Sequence, residues 1–229
     1  MKKVLFAVFA HPDDEGFGPA GTLMKEAESG TEVHLVTLTA GEAGMNPDNH
    51  ENLAEVRLKE WRKAGELIGA TSMTHLGYKD GTLSNTSLVE ITEQLEQLVR
   101  DKLDDDVTEV EFMSFELGGI SGHIDHIVAA RATCGVFYRM KPYDARFTRV
   151  RLFCITEERL SEPDVSWIFM DKGYAADECE HVDVTDLLER RIEIIRTHTS
   201  QRSDGDNHIK RHYKTAAVGR QYDYFVIRD

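Results

Sequence analysis

The sequence predicts an α/β protein in which strands pair into a mostly parallel sheet covered by helices. Short, unbroken apolar runs recur along the chain, as in strands buried on both faces. Segments with the spacing of amphipathic helices separate these runs. This alternation indicates βαβ units, whose crossovers are right-handed. No linker-like composition or internal repeat divides the chain, so we expect a single domain over residues 1–229.

The strands and helices follow from these periodicities in chain order. Residues 4–9 are an apolar run and predict the first buried strand. Further strands are predicted at 33–38, 72–76, 110–115, 150–155 and 222–227, the last as an edge strand. Helices are predicted at 22–29, 51–68, 88–103, 125–140 and 185–198. Gly30 and Gly69 follow the first two helices, where glycine commonly ends a helix.

Charge and composition exclude several classes of function. The chain has 27 lysines and arginines against 41 aspartates and glutamates, a formal net charge of −14. So acidic a surface repels phosphate backbones, so nucleic acid is not an expected partner. No apolar run reaches the ~18 residues of a membrane span. The segment 190–220 is locally basic, which fits either ordinary surface or a mouth that receives an anionic substrate group.

The first apolar run and the cysteines predict a cytoplasmic protein. The run leads into the acidic segment 11–15, whereas a signal peptide would end in small residues. The cysteines, Cys134, Cys154 and Cys179, are odd in number and form no CxxC pair, as expected of buried thiols in a reducing compartment. The sequence leaves open whether the protein is a homo-oligomer.

Two polar clusters follow strands of the predicted sheet. Residues 10–15 come after the first strand, and residues 122–126 come after the strand at 110–115 and a glycine-rich loop. In open parallel sheets ligands bind beyond the carboxyl ends of the strands, so both clusters are expected to face one crevice. The side chains in them that could bind a metal are His11, Asp14, His123 and His126.

These donors are typical of a catalytic divalent-metal site. Catalytic zinc usually has three protein ligands, drawn from histidine and carboxylate, and keeps one position open for water. The activated water still needs a base, and Asp13, beside a candidate ligand, could supply it. Whichever of His123 and His126 does not bind the metal could act as the acid, oriented by Asp125. Zinc is inferred from this donor set, although iron, cobalt or manganese could occupy it.

Other interpretations compete with the metal site. Adjacent aspartates after a strand often cap a turn, and the 122–126 segment could be a capped helix start. Two such clusters at equivalent strand ends favour the metal site. A dinucleotide-binding oxidoreductase is a further alternative, because Gly16, Gly18 and Gly21 match GxGxxG. The acidic segment 13–15 would repel pyrophosphate, so we expect these glycines to permit close helix–strand packing instead.

The two clusters resemble the paired signature of the PIG-L/LmbE-like zinc de-N-acetylases. HPDDE at 11–15 and GHIDH at 122–126 carry the resemblance. Shorter matching pieces lie at 39–44, 57–60, 80–83 and 198–201. The similarity therefore runs from about Lys3 to Gln201, nearly the whole chain.

The resemblance implies a Rossmann-like three-layer α/β fold and hydrolysis of an N-acetyl group, commonly on a glucosamine conjugate. It implies that His11, Asp14 and His126 hold zinc. It makes Asp13 the general base and His123 the general acid or oxyanion stabiliser. The other implied roles are Asp125 orienting an imidazole, Arg57 and Asp80 binding the substrate's sugar and polar head, and His198 behind the site.

Three positions depart from the family pattern, and at the first of them Ala40 replaces a frequent larger polar residue. Ile124 stands where proline is common, and Ser121 stands where some members have a tyrosine that polarises the carbonyl. No residue in 141–186 matches the family, so we look for substrate choice there. The alternative within the family is an amidase of a thiol-sugar conjugate, and a non-catalytic binding module is a third interpretation.

Overall fold

The computed structural model describes residues 2–160 and 173–229. The strands are β1 (Lys2–Phe9), β2 (Glu32–Thr39), β3 (Ser72–Tyr78), β4 (Val107–Phe115), β5 (Phe147–Cys154), β6 (Glu180–Asp183) and β7 (Tyr222–Arg228). They form one sheet in the order β3-β2-β1-β4-β5-β7-β6. The pairs from β3 to β5 are parallel, whereas β7 pairs antiparallel with β5 and β6. The predicted mostly parallel α/β sheet is therefore confirmed.

Helices cover both faces of the sheet and give three layers. The helices are α1 (Asp14–Phe17), α2 (Ala20–Glu28), α3 (Leu53–Ile68), α4 (Asn85–Lys102), α5 (Gly119–Gly122, kinked), α6 (Ile124–Met140), α7 (Glu157–Leu160), α8 (Leu188–Thr197) and α9 (Arg202–Val218). On one face, α4 and α6 pack their apolar sides against the sheet. On the other face, α2, α3 and α8 do the same. No helix in the described part of the chain is both long and apolar enough to cross a membrane.

Strand β1 is buried on both faces, as its apolar run predicts. Val4, Phe6 and Val8 pack in the core under α4 and α6. The alternate side chains Leu5, Ala7 and Phe9 pack in the core under α2, α3 and α8. Burying a large apolar side chain contributes roughly 1.5–3 kcal/mol, so β1 is held firmly between its neighbours β2 and β4. The turn that follows β1 is consequently fixed at the middle of the sheet's carboxyl edge.

The carboxyl-terminal part of the fold differs from the sequence prediction. The predicted edge strand is an inner strand, because β6 pairs along its outer side. Helix α9 is absent from the prediction, since its buried residues are only Gly205 and His212 and it has no apolar stripe to detect. The predicted helix at 185–198 begins with a 3₁₀ turn, and its α-helical part starts at Leu188. That residues 1–229 form a single domain stays a prediction.

Candidate metal centre and active site

The candidate catalytic side chains gather beyond the carboxyl ends of β1 and β4. β1 leads through a short turn into α1, and β4 leads through a glycine-rich loop into α5 and α6. A cavity of about 530 Å³ lies between these loops. The predicted site residues that line it are His11, Asp13, Asp14, Arg57, Asp80, His123 and His126. The rule that ligands bind at strand ends thus predicts the place of the cavity correctly.

Three side chains converge closely enough to share one metal ion. His11 Nδ1 lies 3.1 Å from His126 Nε2, which lies 3.3 Å from Asp14 Oδ1. His11 Nδ1 is 3.7 Å from Asp14 Oδ2. Ligands about 2.1 Å from a tetrahedral ion are separated by about 3.4 Å, so the two spacings that His126 Nε2 makes with His11 Nδ1 and Asp14 Oδ1 fit a shared cation. The donor set of two imidazoles and one carboxylate is also the one that zinc and similar divalent metals prefer.

Hydrogen bonds to the backbone orient the side chains of Asp14 and His126, the two candidate ligands beside His11. Asp14 Oδ2 accepts the backbone N–H groups of Ala10 (3.1 Å) and His11 (2.9 Å), which leaves Oδ1 facing the imidazoles. His126 Nδ1 lies 3.2 Å from the Gly119 carbonyl oxygen and donates to it, so Nε2 keeps a free lone pair. Burial opposes ionisation of Asp14, but His126 and His11 outweigh it and hold its pKa below the usual range.

The opposite nitrogen of His11 faces two carboxylates. His11 Nε2 is 3.0 Å from Asp80 Oδ1 and 3.5 Å from Asp125 Oδ2. Although burial favours the neutral ring, Asp125 and Asp80 raise the pKa of His11 to about 10. His11, Asp80 and Asp125 thus form a second donor set that overlaps the first at His11, while His123 lies close to His11 and His126. A carboxylate behind a metal-bound histidine fixes the ring and strengthens it as a ligand.

Asp80 and Asp125 are anchored by the loops that carry them. Both Asp125 oxygens accept backbone N–H groups, from Gly81 (2.7 Å) and Leu83 (3.1 Å). Asp80 Oδ2 accepts the N–H of Ala43 (2.8 Å). These contacts bear on the predicted roles of both residues. Asp80 lines the cavity and also lies beside His11, so its predicted substrate role stays a prediction, and the imidazole nearest to the Asp125 carboxylate is that of His11.

His123 is held in one neutral form at the start of α6. Its Nδ1 accepts the backbone N–H of Asp125 (3.2 Å), which assigns the ring hydrogen to Nε2. Burial and the neighbouring His126 lower the pKa of His123, which favours this neutral ring. A nitrogen that carries hydrogen cannot bind a metal, but it can donate to an oxyanion. His123 is thus suited to be a donor beside the metal set.

Asp13 has a strained backbone that its neighbours stabilise. Its φ is 118°, a region that residues other than glycine rarely adopt. Its Oδ2 accepts from the Arg57 guanidinium (2.8 Å), and its N–H donates to Glu15 Oε2 (3.2 Å). Burial raises the pKa of Asp13 to about 6, although Arg57 opposes the shift. The local structure thus holds one carboxylate in the cavity beside Asp14, a candidate metal ligand.

The hydrogen bonds of the Arg57 guanidinium are made within the protein. Beyond Asp13, the buried guanidinium donates to the carbonyl oxygens of Pro12 (2.6 Å) and Gly41 (2.7 Å). A Cβ atom on Gly41 would lie 2.4 Å from this group, which explains a glycine there. Arg57 therefore fixes the Asp13 turn, and since it also lines the cavity, its predicted contact with the substrate's sugar stays a prediction.

His198 is buried at the carboxyl end of α8, and its predicted place behind the site stays a prediction. Its Nε2 is 2.9 Å from Glu15 Oε1, and both side chains are fully buried. Burial opposes protonation, but Glu15 outweighs it and raises the pKa of His198. Glu15 is absent from the predicted site, and it links His198 to the Asp13 backbone. The sequence signal for Glu15 is its place as the last residue of the HPDDE motif.

The sequence and this geometry can be compared with known proteins. A family model described as PIG-L, GlcNAc-PI de-N-acetylase, matches residues 6–137, more than half of the chain. The chain belongs to this family. The predicted family is thereby confirmed, and with it the class of enzyme, an amide hydrolase that removes acetyl groups. The family is metal-dependent, and among the described residues two groups that share His11 could hold a metal ion, His11 with His123 and His126, and His11 with Asp80 and Asp125.

The individual relatives of this PIG-L chain are also named as deacetylases. A probable N-acetyl-alpha-D-glucosaminyl L-malate deacetylase 2 of Bacillus cereus is 29% identical over 174 residues, which cover 72% of this chain and 75% of that protein. A 1D-myo-inositol 2-acetamido-2-deoxy-alpha-D-glucopyranoside deacetylase of Thermomonospora curvata is 31% identical over 157 residues, and the match spans 51% of its length.

The fold also matches a solved structure. The N,N'-diacetylchitobiose deacetylase of Pyrococcus horikoshii superposes with a TM-score of 0.73, over 99% of this chain and 84% of that one. At 21% identity this likeness bears on the fold alone. It confirms the predicted Rossmann-like three-layer arrangement.

The glycines of the GxGxxG match serve helix packing in this PIG-L chain. A Cβ atom on Gly18 would lie 2.8 Å from the Asp14 carbonyl oxygen. A Cβ atom on Gly21 would lie 2.6 Å from Val184, a residue of the segment before α8. These close approaches account for glycine at both positions without a dinucleotide. The family assignment removes the oxidoreductase alternative.

Glu116 organises the loop that orients His126, and the sequence analysis misses it. Its oxygens accept the backbone N–H groups of Gly118 (2.6 Å) and Ile120 (2.8 Å). Gly118 is right-handed and Gly119 left-handed, and the Gly119 N–H donates to the Glu116 backbone carbonyl oxygen (2.8 Å), so the N–H groups on either side of it face the carboxylate. Ile120 has a φ of 64°, a strained value for a β-branched residue. Glu116 thus holds the loop whose Gly119 carbonyl meets His126.

Replacing Glu116 with glutamine is expected to weaken divalent-metal binding about 10–100-fold, the usual effect of losing a contact behind a ligand. The amide nitrogen cannot accept a backbone N–H, so the strained loop relaxes and the Gly119 carbonyl moves. Competition with a metal-binding dye measures the affinity. Glu93→Gln, an exposed position on α4, is the matched control. An unchanged metal affinity for Glu116→Gln would contradict this role.

One face of α9 forms the remaining wall of the cavity. Gln201, just before the helix, and then Asp204, Asn207, His208 and Arg211 line it. The four helical positions follow the spacing of one helix face. Polar residues at helical spacing are the sequence signal that could have predicted this wall of the cavity. The locally basic composition of 190–220 is a second, weaker signal. Substrate choice was expected in 141–186, of which residues 161–172 lie outside the described residues.

Proposed function

We propose that this PIG-L chain removes the N-acetyl group from an N-acetylglucosaminyl conjugate, with a divalent metal that is zinc by ligand chemistry. One observation carries the proposal. His11 Nδ1 and Asp14 Oδ1 lie 3.1 and 3.3 Å from His126 Nε2, in a cavity that also holds the Asp13 carboxylate, which is outside this donor set, and a hydrogen-bond donor, His123. A metal, a base and an oxyanion donor are what amide hydrolysis requires.

The metal would be held by His11 Nδ1, Asp14 Oδ1 and His126 Nε2. When bound, it polarises the acetyl carbonyl and makes a water acidic enough to lose a proton near neutral pH. Asp80 and Asp125 are assigned to the ring of His11, because three of their four carboxylate oxygens already accept backbone N–H groups. With Asp80 and Asp125 on the ring of His11, the atoms left to bind the metal from the cavity side are His11 Nδ1, Asp14 Oδ1 and His126 Nε2.

Asp13 is the proposed general base. Its Oδ2 is bound to Arg57, so Oδ1 is left to accept the proton of the attacking water. A base cannot also be a strong metal ligand, which explains two adjacent aspartates with different roles. The water oxygen then bonds to the acetyl carbon. The strained turn, fixed by Arg57 and Glu15, keeps Asp13 aimed without rearrangement.

His123 is the proposed donor to the oxyanion. Its Nε2–H can donate the hydrogen bond that stabilises the oxyanion in the transition state, because its Nδ1 already accepts the backbone N–H of Asp125 at the start of α6. As the C–N bond breaks, the proton taken up by Asp13 passes to the leaving nitrogen. The products are acetate and the free amino sugar. The second hydrogen of the water leaves with the acetic acid, which ionises to acetate and protonates the amine, so every proton and bond is accounted for without a further reactant.

The substrate class follows from the relatives and the cavity. The relatives are named for glucosaminyl conjugates of malate and of inositol, both small molecules. The cavity of about 530 Å³ has the size of a small-molecule site. We therefore expect a small N-acetylated amino-sugar conjugate as the substrate.

An acetate-release assay tests the proposed function. The chain is stripped with a chelator, reloaded with zinc, cobalt, manganese or iron, and given N-acetylglucosamine, its inositol and malate glycosides, and diacetylchitobiose. We expect metal-dependent release of acetate from at least one conjugate. Release of a larger acyl group from a thiol-sugar conjugate, with no acetate, would support the amidase alternative. Bound metal without hydrolysis of any amide would contradict the proposal and leave a binding module.

A further inference from the structure

A buried polar turn joins α8 to α9. It consists of His198, Thr199, Ser200 and Gln201, and the last three form a single 3₁₀ turn. We refer to these four residues as the α8–α9 turn. His198, Ser200 and Gln201 are buried although their side chains are polar. Because burying a polar group is unfavourable unless it is hydrogen-bonded, the partners of these side chains show which parts of the protein the turn holds together.

Glu60 on α3 holds the middle of the α8–α9 turn. Its Oε1 accepts the hydroxyl of Thr199 (2.5 Å) and the backbone N–H of Ser200 (2.9 Å), and its Oε2 accepts the hydroxyl of Ser200 (2.7 Å). Hydrogen bonds to a carboxylate are stronger than those to a neutral acceptor. Arg57, three residues earlier on the same helix, binds Asp13. α3 therefore contacts the Asp13 turn and the α8–α9 turn at once.

The first residue of the α8–α9 turn is linked to Asp13 from another direction. His198 Nε2 lies 2.9 Å from Glu15 Oε1, and Glu15 Oε2 accepts the Asp13 N–H (3.2 Å). A Cβ atom on Gly16 would lie 3.3 Å from His198 Nε2, so the ring packs closely against α1. Asp13, whose φ is positive, is thus held through α3 on one side and through the α8–α9 turn on the other.

The last residue of the α8–α9 turn is attached to the loop after β2. Gln201 Nε2 donates to the backbone carbonyl oxygen of Met45 (2.9 Å). A Cβ atom on Gly44 would lie 2.5 Å from Arg57 Nη1 and 3.4 Å from Gln201 Oε1, so these groups leave no room for a larger residue. Gly44 and Gln201 both line the cavity of the candidate metal centre. Since α9 begins at the next residue, the turn also fixes the wall that α9 forms.

We propose that Glu60 is a positioning residue for the hydrolysis, which acts through the α8–α9 turn to keep Asp13 aimed at the attacking water. This inference rests on the proposed function, because it takes Asp13 as the base. Glu60 is not among the described residues that line the cavity, so it acts only through its contacts. The proposal also joins two of the short segments that resemble the family, 57–60 and 198–201, in one network.

Glu60→Ala removes all three hydrogen bonds and leaves the buried Ser200 without this acceptor. The α8–α9 turn should then shift, and the Asp13 turn with it. Because a displacement of about 1 Å can cost about 100-fold in rate, we expect kcat to fall roughly 10–100-fold while KM changes less and the metal content stays the same. Glu60→Gln keeps one oxygen for the Ser200 N–H and should recover a large part of the rate.

A second variant separates positioning from folding. Glu26, on α2, also has several partners, among them Lys3 (3.2 Å) and Thr31 (2.9 Å), which lie where β1 and β2 begin, at the opposite edge of the sheet from the cavity. Glu26→Ala should lower the Tm and keep the parental kcat. An equal loss of kcat in Glu26→Ala and Glu60→Ala, at a temperature where both variants are folded, would reduce Glu60 to a stabilising residue and overturn the proposal.

A double-mutant cycle tests whether Glu60 acts through Asp13. In the Asp13→Asn chain the base is absent, so adding Glu60→Ala should change the residual single-turnover rate less than about twofold. A loss of about tenfold or more in both backgrounds would mean that Glu60 does not act through Asp13, and would overturn the proposal. Unchanged kcat for Glu60→Ala in the parent chain would overturn it as well.

Hydrogen exchange distinguishes a failure of this inference from a failure of the proposed function. In the metal-loaded chain, Glu60→Ala should speed amide exchange in peptides that cover 11–17 and 198–202, while peptides from β4 stay as protected as in the parent. Unchanged exchange at 11–17 would overturn the inference even if the chain releases acetate. If no substrate releases acetate while exchange at 11–17 still rises, the proposed function is wrong and the link from Glu60 to the Asp13 turn stands.

Discussion

Asp13→Asn is expected to retain the metal and to lower kcat at least ~100-fold, within the range of general-base catalysis. The carboxylate that takes the proton is lost, while no metal ligand is changed. Asparagine is the informative replacement because it tolerates positive φ better than most residues and can still accept from Arg57. The backbone turn that positions His11 and Asp14 should therefore survive.

Two measurements accompany this variant. Elemental analysis should find the same metal content in Asp13→Asn as in the parent chain. Asp101→Asn, an exposed aspartate on α4, makes the same chemical change away from the cavity and should keep the parental rate. If Asp13→Asn hydrolyses amides at the parental rate, the base is wrongly assigned. If it loses its metal, Asp13 supports the metal site instead of the proton transfer.

His126→Ala is expected to lose bound metal and, with it, activity. It removes one of three protein donors, so the loss of metal affinity should exceed the 10–100-fold typical of contacts behind a ligand. His123→Ala, three residues earlier, is the matched comparison. It should keep the metal and lose turnover, because its Nε2 carries a hydrogen and its Nδ1 caps α6. Metal loss in His123→Ala with retention in His126→Ala would reverse the two assignments.

The sequence predicts the central half of the fold well, because that half follows from simple patterns. β1 is an uninterrupted apolar run between strands of the same kind, and burial on both faces leaves it one position in the sheet. α3 ends at Gly69, which adopts the left-handed conformation that glycine allows. The carboxyl-terminal part lacks such patterns. α9 is polar along most of its length, and β6 is a four-residue strand that turns β7 into an inner strand.

The place of the site could be predicted, but its hydrogen bonds could not. Two polar clusters after buried strands suffice to bring His11, Asp14 and His126 together at the sheet's edge. The roles of Arg57 and Asp80 depend on which loop carbonyls and side chains surround them, and these contacts join residues up to 69 positions apart in sequence (Asp80 to His11). The same holds for Glu116, whose function depends on the strained φ of Ile120 and on the Gly119 carbonyl.

The position of the metal tests this account most directly. Crystals of the chain loaded with zinc are measured above and below the zinc absorption edge, and the anomalous difference locates the ion. We predict one peak about 2.0–2.2 Å from His11 Nδ1, Asp14 Oδ1 and His126 Nε2. A peak bound instead to His11 Nε2, Asp80 and Asp125, or to His123 in place of His126, would contradict the central claim.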